Sequence, residues 1–322
     1  MFWVKNKNKW RTILATGISF VFSGSYLFAF ISGAYKVSSG IITFGTMTAF
    51  LSLVNQVQTP LYKLGNVLPQ IVSVLASAER VSEVAYLPEE VWSDKISFDE
   101  VHNIGICIKE LAFSYDKKQE ILSGISMNIT PGQLVVVSGA SGVGKTTVLR
   151  LLLGFIYPDQ GSIYFYNEKG DKFPCSPMTR KCISYVPQGN TLLSGTVAEN
   201  LRIGRADATE EQIIEALKTA CAWEFVKNLP LKLDTVLGEK GYGLSEGQAQ
   251  RIAIARGIIR RATLLVLDEA TSALDETTER AILNKLQITR GGQTCLIVTH
   301  RHIAHEYADQ IFELIVGKNE AY

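Results

Sequence analysis

The chain has 322 residues, 47 % of them hydrophobic and 20 % charged, with a formal net charge of +1. At roughly 100–200 residues per domain this suggests two or three units, and the apolar content excludes a disordered or collagen-like chain. So small a net charge argues against a binder that holds nucleic acid by bulk charge, and no nucleic-acid partner is expected. The average conceals a split. Residues 1–78 contain six Lys or Arg and no Asp or Glu, whereas the other 244 residues hold 26 basic and 31 acidic side chains.

From Thr12 to Tyr35 run 24 residues without a charge, and after Lys36 a further 26 run from Val37 to Tyr62. A bilayer core of ~30 Å needs roughly 20 apolar residues in a helix, so each run is long enough to cross with some tilt. Two spans are expected, at about 12–35 and 37–62. The alternative is a buried helical hairpin in a soluble core. A secretory signal fits poorly, because the first run is too long and a second follows at once.

Lys5, Lys7, Lys9 and Arg11 flank the first run and Lys63 follows the second, with Lys36 alone between them. The positive-inside rule then puts the N-terminus and everything after Lys63 in the cytoplasm. Trp10 and Tyr35 suit the membrane interface. Leu64, Val67, Leu68, Ile71, Val74 and Leu75 recur at three- and four-residue spacing, extending the second helix to near Tyr86. Residues 88–104, with Pro88, Glu89, Glu90, Asp94 and Asp99, read as a linker between a membrane part (1–87) and a second domain (105–322). All five cysteines follow the second run without a C-x-x-C, and are expected to be reduced packing residues.

Leu134 to Ser138 is a short apolar, β-branched run that reads as a buried strand. It leads into Gly139-Ala140-Ser141-Gly142-Val143-Gly144-Lys145-Thr146, the G-x-x-x-x-G-K-T of a P-loop, followed by an apolar helical segment from Thr147 to Leu153. Strand, loop and helix in this order form a phosphate site. Glycines let backbone amides curl around phosphate oxygens, and the helix start adds its dipole. Lys145 is expected to reach the β- and γ-phosphates, and the Thr146 hydroxyl to ligate Mg²⁺.

A second strand, Leu264 to Leu267, ends in Asp268-Glu269, a Walker B pattern. Asp268 is the expected Mg²⁺ ligand, and Glu269 the base that orients the attacking water. A third strand, Leu296 to Thr299, ends in His300 on the same presumptive edge, where open α/β sheets bind ligands.

With these residues in order, the chain resembles the ATP-binding cassette transporter family, exporter type. Leu244-Ser245-Glu246-Gly247-Gln248 resembles the family signature Leu-Ser-Gly-Gly-Gln, with Glu246 replacing the first Gly. Val186-Pro187-Gln188 resembles the Q-loop, Ser272 to Asp275 the D-loop, Tyr115 the A-loop aromatic that stacks on adenine, and Thr235 to Gly241 the exporter X-loop. Residues 1–87 resemble the last two transmembrane helices of an exporter half, with Ala76 to Val81, Phe44 to Phe50 and Thr59 to Leu61 carrying the likeness. The resemblance implies a helical membrane segment joined to an α/β P-loop NTPase domain, the ABC ATPase fold with its helical subdomain.

It implies further that ATP and Mg²⁺ are the cofactors and that cassettes pair head to tail, with an identical chain or a second half-transporter. Each ATP would lie between Tyr115 and Gly139 through Thr147 of one chain and Ser245, Gly247 and Gln248 of the other. Gln188 would meet Mg²⁺ and the water, His300 the γ-phosphate, and Asp275 would communicate between sites. The implied role is ATP-driven export by a multi-pass protein in the lipid of the cell membrane, with its cassette cytoplasmic. The substrate is not readable, because an exporter's substrate walls are built from all six helices of each half and the resemblance covers the last two; at the other end, the strand at Ile311–Val316 lies close to the end of the chain, before the short helical stretch usual in the family. A second reading is a truncated, membrane-anchored ATP-binding module that does not transport alone. Asn55, Gln56 and Gln58 are read either as helix-packing residues or as polar substrate contacts.

Overall fold

Long runs without charge suit helices that shed water, and the N-terminal region forms two, which continue through Gly17, Gly24, Gly33 and Pro60. The structure is a computed structural model that describes residues 2–87, 89–90, 103–115, 120–238, 241, 243–315 and 318–321. It divides into two units, Met1–Glu89 and Glu90–Tyr322.

In the first unit, α1 (Phe2–Ser38) and α2 (Phe44–Ala85) form a hairpin. The chain leaves α1 through Gly40 at φ +72°, and Thr43 caps α2 by accepting from the Thr46 amide. The helices run antiparallel. Gly33 faces Met47, where an added Cβ would lie 3.0 Å from Met47 Cγ, and Gln58 Nε2 donates to Ser25 Oγ at 2.8 Å.

The outer faces stay apolar and exposed: Phe20 is 81 % and Phe28 74 % accessible. A soluble core hairpin would bury such side chains, so that alternative is set aside. Among the described residues one segment, Ser19–Ser38, is long and apolar enough to cross a membrane. The second expected span does not qualify. Residues 37–43 belong to the end of α1 and the connection, and α2 is diluted by Asn55, Gln56, Gln58 and several hydroxyls. The expected helix end holds: α2 stops at Ala85 and Tyr86 closes it. The linker expected at 88–104 lies mostly outside the described residues.

The second unit runs β1 (Ile104–Ser114), β2 (Glu120–Ile129), β3 (Leu134–Gly139), α3 (Lys145–Leu152), β4 (Gln160–Asn167), β5 (Lys172–Pro174), β6 (Ile183–Val186), β7 (Gly195–Thr196), α4 (Val197–Arg202), α5 (Glu210–Thr219), α6 (Trp223–Val226), β8 (Val236–Leu237), α7 (Glu246–Ile259), β9 (Leu264–Asp268), α8 (Glu276–Thr289), β10 (Thr294–Val298), β11 (Gln310–Ile315) and β12 (Lys318–Ala321). One sheet has the order β12-β11-β3-β10-β9-β6, and an antiparallel sheet has the order β2-β1-β4-β5. From β11 to β6 the first sheet is parallel.

Parallel strands covered on both faces read as continuous apolar runs, and β3, β9 and β10 do. Alternate residues then serve two cores. Leu134, Val136, Leu265, Leu267, Cys295 and Ile297 face the helical core. Val135, Val137, Leu264, Val266, Leu296 and Val298 face α3 and the antiparallel sheet. Burial lifts the Cys175 thiol to about 11 and the Cys295 thiol to about 12, which keeps both protonated as packing groups.

Candidate functional site

The chemistry-bearing residues gather where β3, β9, β10 and β6 reach their C-terminal ends. This is the edge at which parallel sheets bind ligands. After β3 the loop turns through Gly144, whose φ of +106° makes it the left-handed cap of α3. An added Cβ there would lie 2.6 Å from Leu122 Cδ2, so both conformation and space require glycine. Lys145 is 6 % exposed, and its Nζ donates to the Gly139 and Ala140 carbonyls at 2.7 and 3.0 Å. Thr146 is exposed beside it and Thr147 is buried.

Tyr115 is half exposed over the start of α3. Its ring meets Phe113 edge-on at 4.8 Å, and Arg150 Nη1 donates to its hydroxyl at 3.0 Å. Burial acts to raise the Tyr115 phenol, but hydrogen bonds with Thr147 and Arg150 outweigh it and hold it below its usual value.

Asp268 closes β9 and is 4 % exposed. Burial pushes its carboxyl up, against the hydrogen bond from Tyr185 and the charges of Lys145 and Arg150. Glu269 follows with its backbone in the left-handed region at φ +47°, its amide donating to Val298 O at 2.9 Å. That turn swings the side chain toward two partners. Gln188 Nε2 donates to Glu269 Oε2 at 2.7 Å, and His300 Nδ1 lies 3.6 Å from Oε1. The structure thus brings together Glu269, Gln188 and His300. β10 ends at Val298, so Thr299 and His300 stand in the turn beyond it rather than in the strand.

Ser245, Gly247 and Gln248 open α7. Ser245 Oγ accepts from the Gln248 amide at 3.3 Å and Gln248 Oε1 accepts from the Ser245 amide at 3.0 Å, a closed capping box. Gly247 faces the D-loop, where an added Cβ would stand 2.9 Å from Ala273 O. Among the described residues no hydrogen bond joins these three to the P-loop. Asp275 caps α8, accepting from the Thr278 amide at 3.0 Å and from the Thr277 hydroxyl. These bonds hold its carboxyl far below the usual range. Of the X-loop, Val236 and Leu237 pair with Thr196 and Gly195; residues 239 and 240 lie outside the described residues.

Four residues that support the site were not singled out from sequence. Tyr185 donates to Asp268. Gln250 is 2 % exposed and fastens the D-loop to α7, donating to Ser272 Oγ at 3.1 Å and accepting from the Ala273 amide at 3.0 Å. Arg301 Nη1 donates to Thr271 O and Leu274 O at 2.9 and 2.8 Å and pairs with fully buried Glu279 at 2.9 Å. For Tyr185 in β6 and Gln250 on the buried face of α7, a polar group among apolar neighbours was the available signal, whereas Glu279 and Arg301 stand among other polar residues.

The residues fit a hard divalent cation: a carboxylate at Asp268, a hydroxyl at Thr146 and the amide oxygen of Gln188. Among the described residues no three His, Cys, Asp or Glu side chains could hold an ion between them. A cation held mainly by nucleotide phosphates needs no such cluster.

Sheet order, P-loop, strand-end carboxylates and a capped signature helix together define a P-loop ATPase domain of the ABC type. Residues 122–272 match the family described as ABC transporter, and the chain carries an ABC transporter domain. It is 36 % identical over 293 residues to the uncharacterized ABC transporter ATP-binding protein YfiC of Bacillus subtilis (strain 168), covering 91 % of this chain and 48 % of that protein. It is 37 % identical over 276 residues to the ATP-dependent lipid A-core flippase of Pseudomonas fluorescens (strain Pf0-1), covering 85 % and 46 %. A solved bacterial Atm1-family ABC exporter with ATP bound matches with a TM-score of 0.69 and 30 % identity, over 98 % of this chain and 55 % of that one. The chain therefore spans about half the length of the curated relatives it matches. The solved protein is an ABC exporter and the Pseudomonas fluorescens protein a flippase, which implies a membrane location.

Proposed function

We propose that this chain is the ATP-hydrolysing part of an ABC exporter, comprising membrane helices (1–87), a linker (88–104) and a cassette (105–322). The observation that carries the reading is Glu269, held between Gln188 and His300 at the strand edge that also bears the P-loop. The P-loop amides and Lys145 bind the β- and γ-phosphates, and Tyr115 stacks on the base. For that, Lys145 exchanges two backbone carbonyls for phosphate oxygens, a charge-assisted gain. Glu269 accepts a proton from the attacking water, Gln188 orients the carboxylate, and His300 donates toward the γ-phosphate. Thr146, Asp268 and Gln188 hold Mg²⁺, which supplies charge neutralisation on the phosphates when bound.

Ser245, Gly247 and Gln248 complete the ATP site of a second chain, either identical or another half-transporter, and Asp275 lies between the two sites. The helices sit in the lipid of the cell membrane as part of a multi-pass protein, with the cassette cytoplasmic. The cargo is unassigned.

ATP turnover by the purified chain in detergent tests the reading. Glu269→Gln is expected to lower turnover at least about 100-fold while ATP still binds. Turnover left intact in that variant would overturn the assignment of the base.

A further inference from the structure

The roles given to the P-loop, Glu269, Gln188 and His300 leave one contact at the site unused. Tyr185 Oη donates to Asp268 Oδ2 at 2.9 Å. Strand geometry explains the contact. β6 and β9 are parallel neighbours with Tyr185 opposite Val266, and Asp268 stands two residues further along the same face. Two residues of strand are ~6.6 Å, about the reach of a tyrosine side chain leaning along the strand. Its ring packs on the Val266 core and its hydroxyl arrives at the carboxylate.

Asp268 is 4 % exposed, so little water reaches it to fix its orientation. Among the described residues, Tyr185 is the side chain that hydrogen-bonds it. We propose that Tyr185 is a positioning residue for Asp268: its phenol engages one carboxylate oxygen and holds the other available for the divalent cation bound with nucleotide. The proposal rests on the ATP-site reading above. It differs from a packing role, because phenylalanine would keep the ring and the core contact.

The test is binding of a fluorescent ATP analogue to the purified full chain in detergent, with Mg²⁺ titrated and, separately, in EDTA. Tyr185→Phe is expected to raise the Mg²⁺ midpoint about tenfold or more, the usual effect of removing an outer partner of a metal ligand. Affinity in EDTA should not change, and the fold should persist with a melting temperature lowered by only a few degrees, because the buried carboxylate loses one hydrogen-bond donor. In an Asp268→Asn background the same substitution should add no further shift. An unchanged Mg²⁺ midpoint, an equal loss in EDTA, a full shift in the Asp268→Asn background or loss of the fold would overturn the proposal. So would a wild-type chain that binds ATP equally with and without Mg²⁺. A wild-type chain that binds no nucleotide would overturn the ATP-site reading as well, so the two failures are distinguishable.

Discussion

Glu269 sits at φ +47°, in a region that side-chain-bearing residues rarely occupy. The strain is local, and it aims the carboxylate at Gln188 and His300 rather than along the strand. Sequence named all three residues but not their mutual geometry, because nothing in chain order brings positions 188, 269 and 300 together. Lys145 is the companion case. Its motif was legible, yet its buried ammonium rests on the Gly139 and Ala140 carbonyls, which only the folded loop supplies. Lys145→Ala removes the charge that phosphates require. Equilibrium binding of labelled ATP to that variant should fall at least about tenfold, since hydrogen bonds from charged groups contribute about 1.5–3 kcal/mol each.

A turn and a helix carry the polar framework behind the site. Arg301 ties the turn after β10 to the D-loop carbonyls and to Glu279 on α8, which is fully buried. Removing Arg301 leaves that carboxylate without its cation, and breaking a buried pair this way costs about 3 kcal/mol or more. Arg301→Ala should therefore lower the denaturant midpoint of the cassette. Burial already raises the Glu279 carboxyl above its ordinary 4.5, with Thr271 and Arg301 acting against that. Below that value the group is neutral in the folded and unfolded states alike, so the penalty of Arg301→Ala should shrink on acidification.

Asp275 has the opposite sign. Hydrogen bonds from Thr277 and Thr278 depress it below its ordinary 3.8. Its cap on α8 therefore contributes stability above about pH 4 that is lost as pH falls through the depressed value. Thermal melts of Asp275→Ala should show a drop of a few degrees at neutral pH, and a smaller one near pH 2. Sequence marked Asp275 through the D-loop likeness. Gln250, Arg301 and Glu279 were not marked, because a polar residue has no meaning until its partner is placed.

At the scale of the whole molecule, the first unit keeps an apolar exterior and the second buries its apolar residues in two layered cores. The chain should pellet with membranes and resist alkaline carbonate extraction; release into the supernatant would contradict the membrane reading. If ATP joins two cassettes, Glu269→Gln with ATP and Mg²⁺ should elute at the mass of two chains in detergent, and at that of one chain without nucleotide.

Sequence alone determined the split in charge, the long helices, the buried strands and the P-loop. Each of these is written in contiguous residues whose periodicity or spacing has a direct physical meaning. It marked the second uncharged run by a weaker condition than apolarity, and α2 carries amides and hydroxyls through the expected second span. Tertiary structure alone decided which strand ends meet. Parallel pairing places β6, β9 and β10 side by side, although residues 186, 268 and 298 are far apart in the chain. That register sets the Tyr185 hydroxyl on Asp268 and draws Gln188 and His300 to Glu269. Such contacts depend on pairing across the sheet, and pairing is a property of the whole fold rather than of any segment within it.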